Sequence, residues 1–333
     1  MITLAQYHHL SALSLRDQPS EAQALLLRAA LFQGEPALAA WHSWRITADL
    51  DRLPLGGFGL LPLLADNLQR LGVQDPILDK CHGIHRHTWT QNQLYCRQLA
   101  GVFQDLQENN CSPLLWGDLL LVLRDYPGQG LRLIHQVDLF TPMSQVAIVQ
   151  KELRAAGWQL QRSIWRRLLP LGDDQPQRFK QSENRLSLNW YSSPSDKSCL
   201  LTSNLWHNHR WLVVNGVSIP CPNSTDFLLW ICTRGIVDFW RFGAIQWVAD
   251  AVMVLRRAGS QIDWPHLLQS VAKHGLTFRM AVALGALVDW VNAPIPPAIL
   301  ETIAAMPVPR FERWGAICSS KLPQSITFLL RIP

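Results

Sequence analysis

The chain has 333 residues, 48% apolar and 17% charged, with 30 basic and 25 acidic side chains and a net charge of +5. Such a length calls for two or three domains or subdomains, and such a composition excludes a disordered chain. The charges are interspersed without a run of one sign, so the mild basic excess permits nucleic acid or a nucleotide as a partner but argues for neither, and a basic protein without a polyanion partner is the simpler reading.

Seven Cys are scattered with no CxxC pair, the pattern of reduced thiols in a cytoplasmic protein. The opening MITLAQYHHL lacks a basic leader followed by an apolar core, so no signal peptide is expected. No apolar run reaches the roughly 18–20 residues of a spanning helix, so no membrane partner is expected.

Residues 1–105 read as an N-terminal helical region. Ser20 is placed to cap a helix in SEAQALLLRAALFQG, which ends at Gly34. A second helix follows Glu35 and Pro36 and carries Trp41 and Trp44. Over 55–72, Leu61, Leu64 and Leu68 share one face and Gly72 closes the helix. The stretch 85–108 continues the pattern with Trp89, Leu94, Leu99, Phe103 and Leu106. Just before it, CHGIHRH sets Cys81 and His85 four apart, a spacing that suits zinc. No second ligand cluster matches it, so surface residues at a helix start are the simpler reading.

The texture changes near residue 111, and 106–220 reads as an α/β core. A short buried strand over 113–116 meets the Gly117 turn and a short helix. After a loop with Pro127, Gly128 and Gly130 comes a strand over 132–140, RLIHQVDLF. Ser144 can cap a helix running to Gly157, and strands are expected at about 158–169, 177–181 and 185–191. The run 211–220 is a hairpin around Asn215 and Gly216, a pair that tolerates positive φ. Trp158, Arg162 and WRR at 165–167 interleave rings and bases, as a single-strand binder would. A sheet face with solvated Arg explains them more simply. The His-x-His of WHNHRW carries little weight.

Residues 221–333 read as a C-terminal helical region. Thr225 caps DFLLWICTRG, and WRFGAIQWVADAVMVLRRAG ends with Arg256 and Arg257 before Gly259. Asp263 caps a helix with Pro265 in its first turn, and IPPAIL starts another.

The chemistry concentrates where strand, Gly, helix and acid strand follow one another. A glycine at a strand-to-helix turn lets backbone N–H groups approach phosphates. Acids at i and i+2 of the next strand point to one face. With a third acid on a neighbouring strand they hold two Mg²⁺ ions for in-line phosphoryl transfer.

Over about residues 20–290 the chain resembles the uncharacterised bacterial nucleotidyltransferases of the polymerase-β-like superfamily. LLLRAALFQGEPALAAWHSW and HTWTQNQLYCRQLAGVFQDLQ resemble the family's N-terminal helices. LLWGDLLLVLRDY resembles its Lys-Gly turn and helix, RLIHQVDLF its Arg-x-x-x-Asp-x-Asp strand, and VQKELRAAGWQ the helix after it. RLSLNWY resembles its third-acid strand, and DFLLWICTRG with the helix around Trp247 and Asp250 its C-terminal part. The resemblance implies an α+β fold, a nucleotidyltransferase-like mixed sheet core flanked by N- and C-terminal helical regions. It implies NTP and Mg²⁺ as ligands, with Asp138 as the catalytic and metal-binding acid. It also implies nucleotide contacts from Gly117, Arg132, Gln136 and Ser187.

The departures bear on activity. Gln136 stands where the family has its first acid, Ser187 where it has its third, and Asn189 where His is usual. Trp116 replaces the Lys before the glycine, and Asp118 after it would repel a phosphate. One carboxylate among amides and hydroxyls is a poor site for a hard dication. The sequence therefore reads as a nucleotidyltransferase fold with weakened or lost metal-dependent transfer that keeps a nucleotide site. The alternatives are an active enzyme moving a nucleotidyl group to an unknown acceptor, and a non-catalytic scaffold for a protein partner. A further carboxylate beside Asp138, from Asp118, Asp125 or Glu183, would favour the enzyme.

Overall fold

A computed structural model describes residues 18–47, 50, 53, 57–142, 145–161, 177–180, 187–191, 208–309 and 312. The expectations for Ser144, Arg162, the WRR at 165–167, Glu183 and His207 lie outside the described residues. Two compact units emerge: described residues up to His85 together with those from Ser224 onward, and Arg86–Asn223.

The described residues begin with α1 (Glu21–Leu31), α2 (Gly34–Thr47), α3 (Leu61–Arg70) and α4 (Pro76–Glu108). Ser20 starts α1 with a reciprocal cap. Its Oγ accepts the Gln23 N–H at 3.3 Å, and the Gln23 side chain accepts the Ser20 N–H at 3.0 Å. Leu26, Leu27, Leu31, Trp41, Trp44, Leu61, Leu64 and Leu68 are buried, as the apolar spacing of these helices demands.

The second unit holds the strands. β1 (Leu114–Trp116) runs into α5 (Gly117–Leu120), which widens into a π turn, Leu121–Asp125. Then follow β2 (Gln136–Phe140), α6 (Val146–Ala155), β3 (Gln159–Gln161), β4 (Gln177–Lys180), β5 (Ser187–Tyr191), β6 (Arg210–Val214) and β7 (Val217–Cys221). Among the described residues five strands form one sheet in the order β1-β2-β5-β4-β3. β2 and β5 run parallel and the other pairs antiparallel, so the sheet is mixed. β6 and β7 make a separate hairpin, with Asn215 at φ 50° and Gly216 at φ 84°. Those angles are what a tight two-residue turn requires.

The strand expected over 132–140 starts only at Gln136. Asn92, fully buried on α4, donates to the carbonyls of Gln129 at 2.6 Å and Arg132 at 2.7 Å. Its Oδ1 accepts the Ile134 N–H at 3.4 Å. Backbone groups bonded to a side chain are not left over for a ladder.

The first unit is completed by α7 (Ser224–Phe242), α8 (Gln246–Ala258), α9 (Trp264–His274), α10 (Thr277–Val291) and α11 (Pro297–Ala305). The sequence placed a cap at Thr225; α7 instead takes Thr225 into its first turn and runs on through Gly235 to Phe242. A Cβ on Gly235 would lie 2.4 Å from Trp247 Cβ, so the glycine serves close packing, and the break falls at Gly243, φ +67°. Thr225 Oγ accepts the Asp263 N–H at 2.9 Å, while Asp263 caps α9 through the His266 N–H at 2.9 Å. α1 is tied to these helices by Gln23, which donates to the Gly243 carbonyl at 2.9 Å. Arg28 adds a bond to the Trp290 carbonyl at 3.1 Å. Trp290 in turn packs on Phe239 and Trp247, so these rings are core. No described helix is long and apolar enough to cross a membrane.

Candidate functional site

β2 lies between β1 and β5, and the antiparallel register sets Trp116 opposite Asp138. The next residue, Gly117, leaves the sheet beside the Asp138 carboxylate. Its φ is +71°, and a Cβ on it would sit 2.3 Å from Asp138 Oδ2. Both the backbone angle and the contact demand glycine. Trp116 is buried, with its ring 5.4 Å from Phe140 and edge-on to it. A packing residue thus stands where the resemblance implies a lysine.

Asp138 is 3% exposed. Strand alternation puts Gln136 on the same face, and its Nε2 donates to both Asp138 oxygens, at 3.3 and 3.2 Å. In the parallel ladder Ser187 stands opposite Gln136 and Asn189 opposite Asp138. Gln136 and Asp138 therefore lie on the strand next to the one that carries Ser187 and Asn189.

Asp118 has a different role from the phosphate-repelling one the sequence suggested. Its Oδ1 accepts from Arg132 Nη2 at 2.8 Å. Its Oδ2 accepts the His135 N–H at 3.0 Å and lies 3.4 Å from His135 Nδ1. Burial alone would raise its pKa, but the Arg132 charge and the His135 bonds outweigh that and hold the carboxyl at about 2. Arg132 is only 6% exposed and also donates to the Leu133 carbonyl at 2.5 Å, so its guanidinium is engaged inside the protein. Asp125 is gripped by Arg124 through two parallel bonds, 2.9 and 3.0 Å.

A family model described as "Uncharacterised nucleotidyltransferase" matches residues 58–292. This chain belongs to that family. It is also similar in structure to an antigenic nucleotidyltransferase-like protein from Paracoccidioides brasiliensis, known from a crystal structure. That match covers 66% of this chain and 95% of the other, at 12% identity and a TM-score of 0.40. No curated protein matches the chain.

The two-metal phosphoryl transfer that the sequence resemblance implies needs several charged oxygens around two dications. The described side chains of this family member do not fit that requirement. Asp138 already faces an amide donor, Asp118 faces Arg132 and His135, and Asp125 faces Arg124. Among the described residues no group of three or more His, Cys, Asp and Glu is placed to hold a metal ion. Cys81 of the CHGIHRH stretch is fully buried, and burial pushes its thiol up to about 11.

Two residues that shape this site went unread in the sequence. Asn92 has one signal: it shares a helix face with Cys96 and Leu99, so a polar residue there is buried and needs partners. His135 lies inside the strand motif itself, one residue before β2 begins.

Proposed function

We propose that this nucleotidyltransferase-family protein binds a nucleotide beside Asp138 and Gly117, and that its metal-dependent nucleotidyl transfer is weakened or lost. The observation that carries this is the bond from Gln136 Nε2 to both oxygens of Asp138. An amide donor stands where the first carboxylate of the acid pair would stand. It satisfies Asp138 by hydrogen bonding instead of sharing a cation with it. Gly117 keeps the turn open at the carboxylate, and the neutral residue Ser187 is the register partner of Gln136 in the ladder. Arg132 acts indirectly, by holding Asp118. The ligand on this reading is an NTP, with Mg²⁺ accompanying the phosphates rather than being caged by the protein.

Calorimetric titration with each of the four NTPs, in Mg²⁺, Mn²⁺ and EDTA, tests it. The expected result is NTP binding whose affinity EDTA changes by less than about threefold. Gln136→Asp, which rebuilds an acid pair, should make binding depend on metal. Strictly metal-dependent binding that Asp138→Ala abolishes, with pyrophosphate released, would instead establish an active enzyme. No binding under any condition would leave the fold as a scaffold for a protein partner.

A further inference from the structure

Asp118 has both oxygens filled from one short segment. Arg132 takes Oδ1, and His135 takes Oδ2 with its main-chain N–H and approaches it with Nδ1. An ionised carboxylate only accepts, so the imidazole proton belongs on Nδ1 and the Nε2 lone pair is left for another partner. The His135 side chain is 64% exposed although the Asp118 that orients it is only 17% exposed. A largely covered acid beside an exposed imidazole is an arrangement by which proteins aim a histidine. Asp118 follows Gly117 directly, and His135 precedes Gln136 directly. The oriented ring is therefore held one residue past Gly117 on one segment and three residues before Asp138 on the other. Three residues of extended chain separate His135 from Asp138, about 10 Å at about 3.3 Å per residue. That is comparable with the span of a nucleotide.

We infer that Asp118 is a positioning residue for His135, and that His135 Nε2 accepts a hydrogen bond from a sugar hydroxyl of the bound nucleotide. This rests on the nucleotide-binding reading above. The chemistry selects the sugar. Phosphates only accept and gain nothing from a lone pair, whereas ribose hydroxyls donate and are common to all four NTPs. Arg132 completes the arrangement by neutralising Asp118, so the acid can stand near a polyanion.

The test compares ATP, 2′-deoxy-ATP and 3′-deoxy-ATP by calorimetry. The unaltered protein should bind ATP about five- to tenfold more tightly than one of the deoxy forms, the range one neutral hydrogen bond supplies. His135→Ala should lose that preference. His135→Gln, whose carbonyl reaches the Nε2 position, should keep most of it, and His135→Asn should not. In ¹⁵N NMR the ring should hold its proton on Nδ1, and Asp118→Asn should shift it toward Nε2. Equal affinity for the three sugars, or a preference that survives His135→Ala, overturns this inference alone. A tautomer unchanged in Asp118→Asn overturns the positioning role. Absence of any NTP binding overturns the nucleotide reading and this inference with it.

Discussion

The backbone of Gly117 rests against the carboxylate of Asp138, with no room between them for a methyl group. Gly117→Ala must either move Asp138 or open the turn, and it also forces a left-handed backbone on alanine. The angle alone costs about 1–2 kcal/mol. Urea unfolding should show at least that loss, together with weaker NTP binding. An unchanged midpoint would contradict the contact.

Asp118 makes a pH prediction with a definite sign. Its folded pKa, about 2, lies below the ordinary 3.8, so the folded state favours the ionised form. The stability it contributes is fully present above about pH 4 and is lost as pH falls toward 2. At about 1.4 kcal/mol per pKa unit this is about 2 kcal/mol. Asp118→Asn should be less stable than the unaltered protein at pH 7, and the gap should close on acidification. A constant gap from pH 7 to pH 2 would refute the ion pair's role.

The described cysteines should be chemically quiet. Cys81, Cys96, Cys111, Cys221 and Cys232 are buried, and burial raises every one of their thiols, the first three to about 11. A Cys199→Ser, Cys318→Ser variant at pH 8 should consume less than one equivalent of a thiol reagent when native and five when unfolded. Rapid native labelling would show that a buried thiol is open to solvent.

Glu312 caps α10. Its carboxylate is 2% exposed and accepts the N–H groups of Phe278 at 3.0 Å and Arg279 at 2.9 Å. Glu312→Ala strands two donors and should cost about 1–3 kcal/mol. Burial outweighs those two bonds and raises the carboxyl above its usual range. The folded state therefore favours its protonated form, and its contribution falls as pH rises through the raised value. Relative to Glu312→Gln, the unaltered protein should lose stability from pH 4 to pH 7. The opposite trend in thermal melts would rule out the desolvation argument.

Much of the fold is legible because its signals are local. Asn215 with Gly216 gives the hairpin, Ser20 and Asp263 give their helix starts, and leucine spacing gives buried faces. The order of β1, Gly117, β2 and β5 is also legible, because glycine and alternating apolar residues mark it. What escaped is non-local. The start of β2 depends on Asn92, and the fate of Asp118 depends on Arg132 and His135. The need for glycine at position 235 inside α7 depends on Trp247. A charge is easily read from sequence, but its partner is not, and the partner decides whether it repels a ligand or holds a loop.

The parallel pairing of β2 with β5 sets an order of assembly. Trp116 and Asp138 meet by closing about twenty residues of chain, but Asp138 meets its Asn189 register partner only across about fifty. The Gly117 turn and the bonds of Asp118 form within the first, shorter loop. β5 and the strands beyond it then join a half-site already in place. Changes to the packing of Trp116 should therefore slow folding, whereas changes on β5 should mainly hasten unfolding. During that interval the edge of β2 that carries Asp138 is without its neighbour, and it is where a nascent chain of this protein is most open to pairing with the wrong strand.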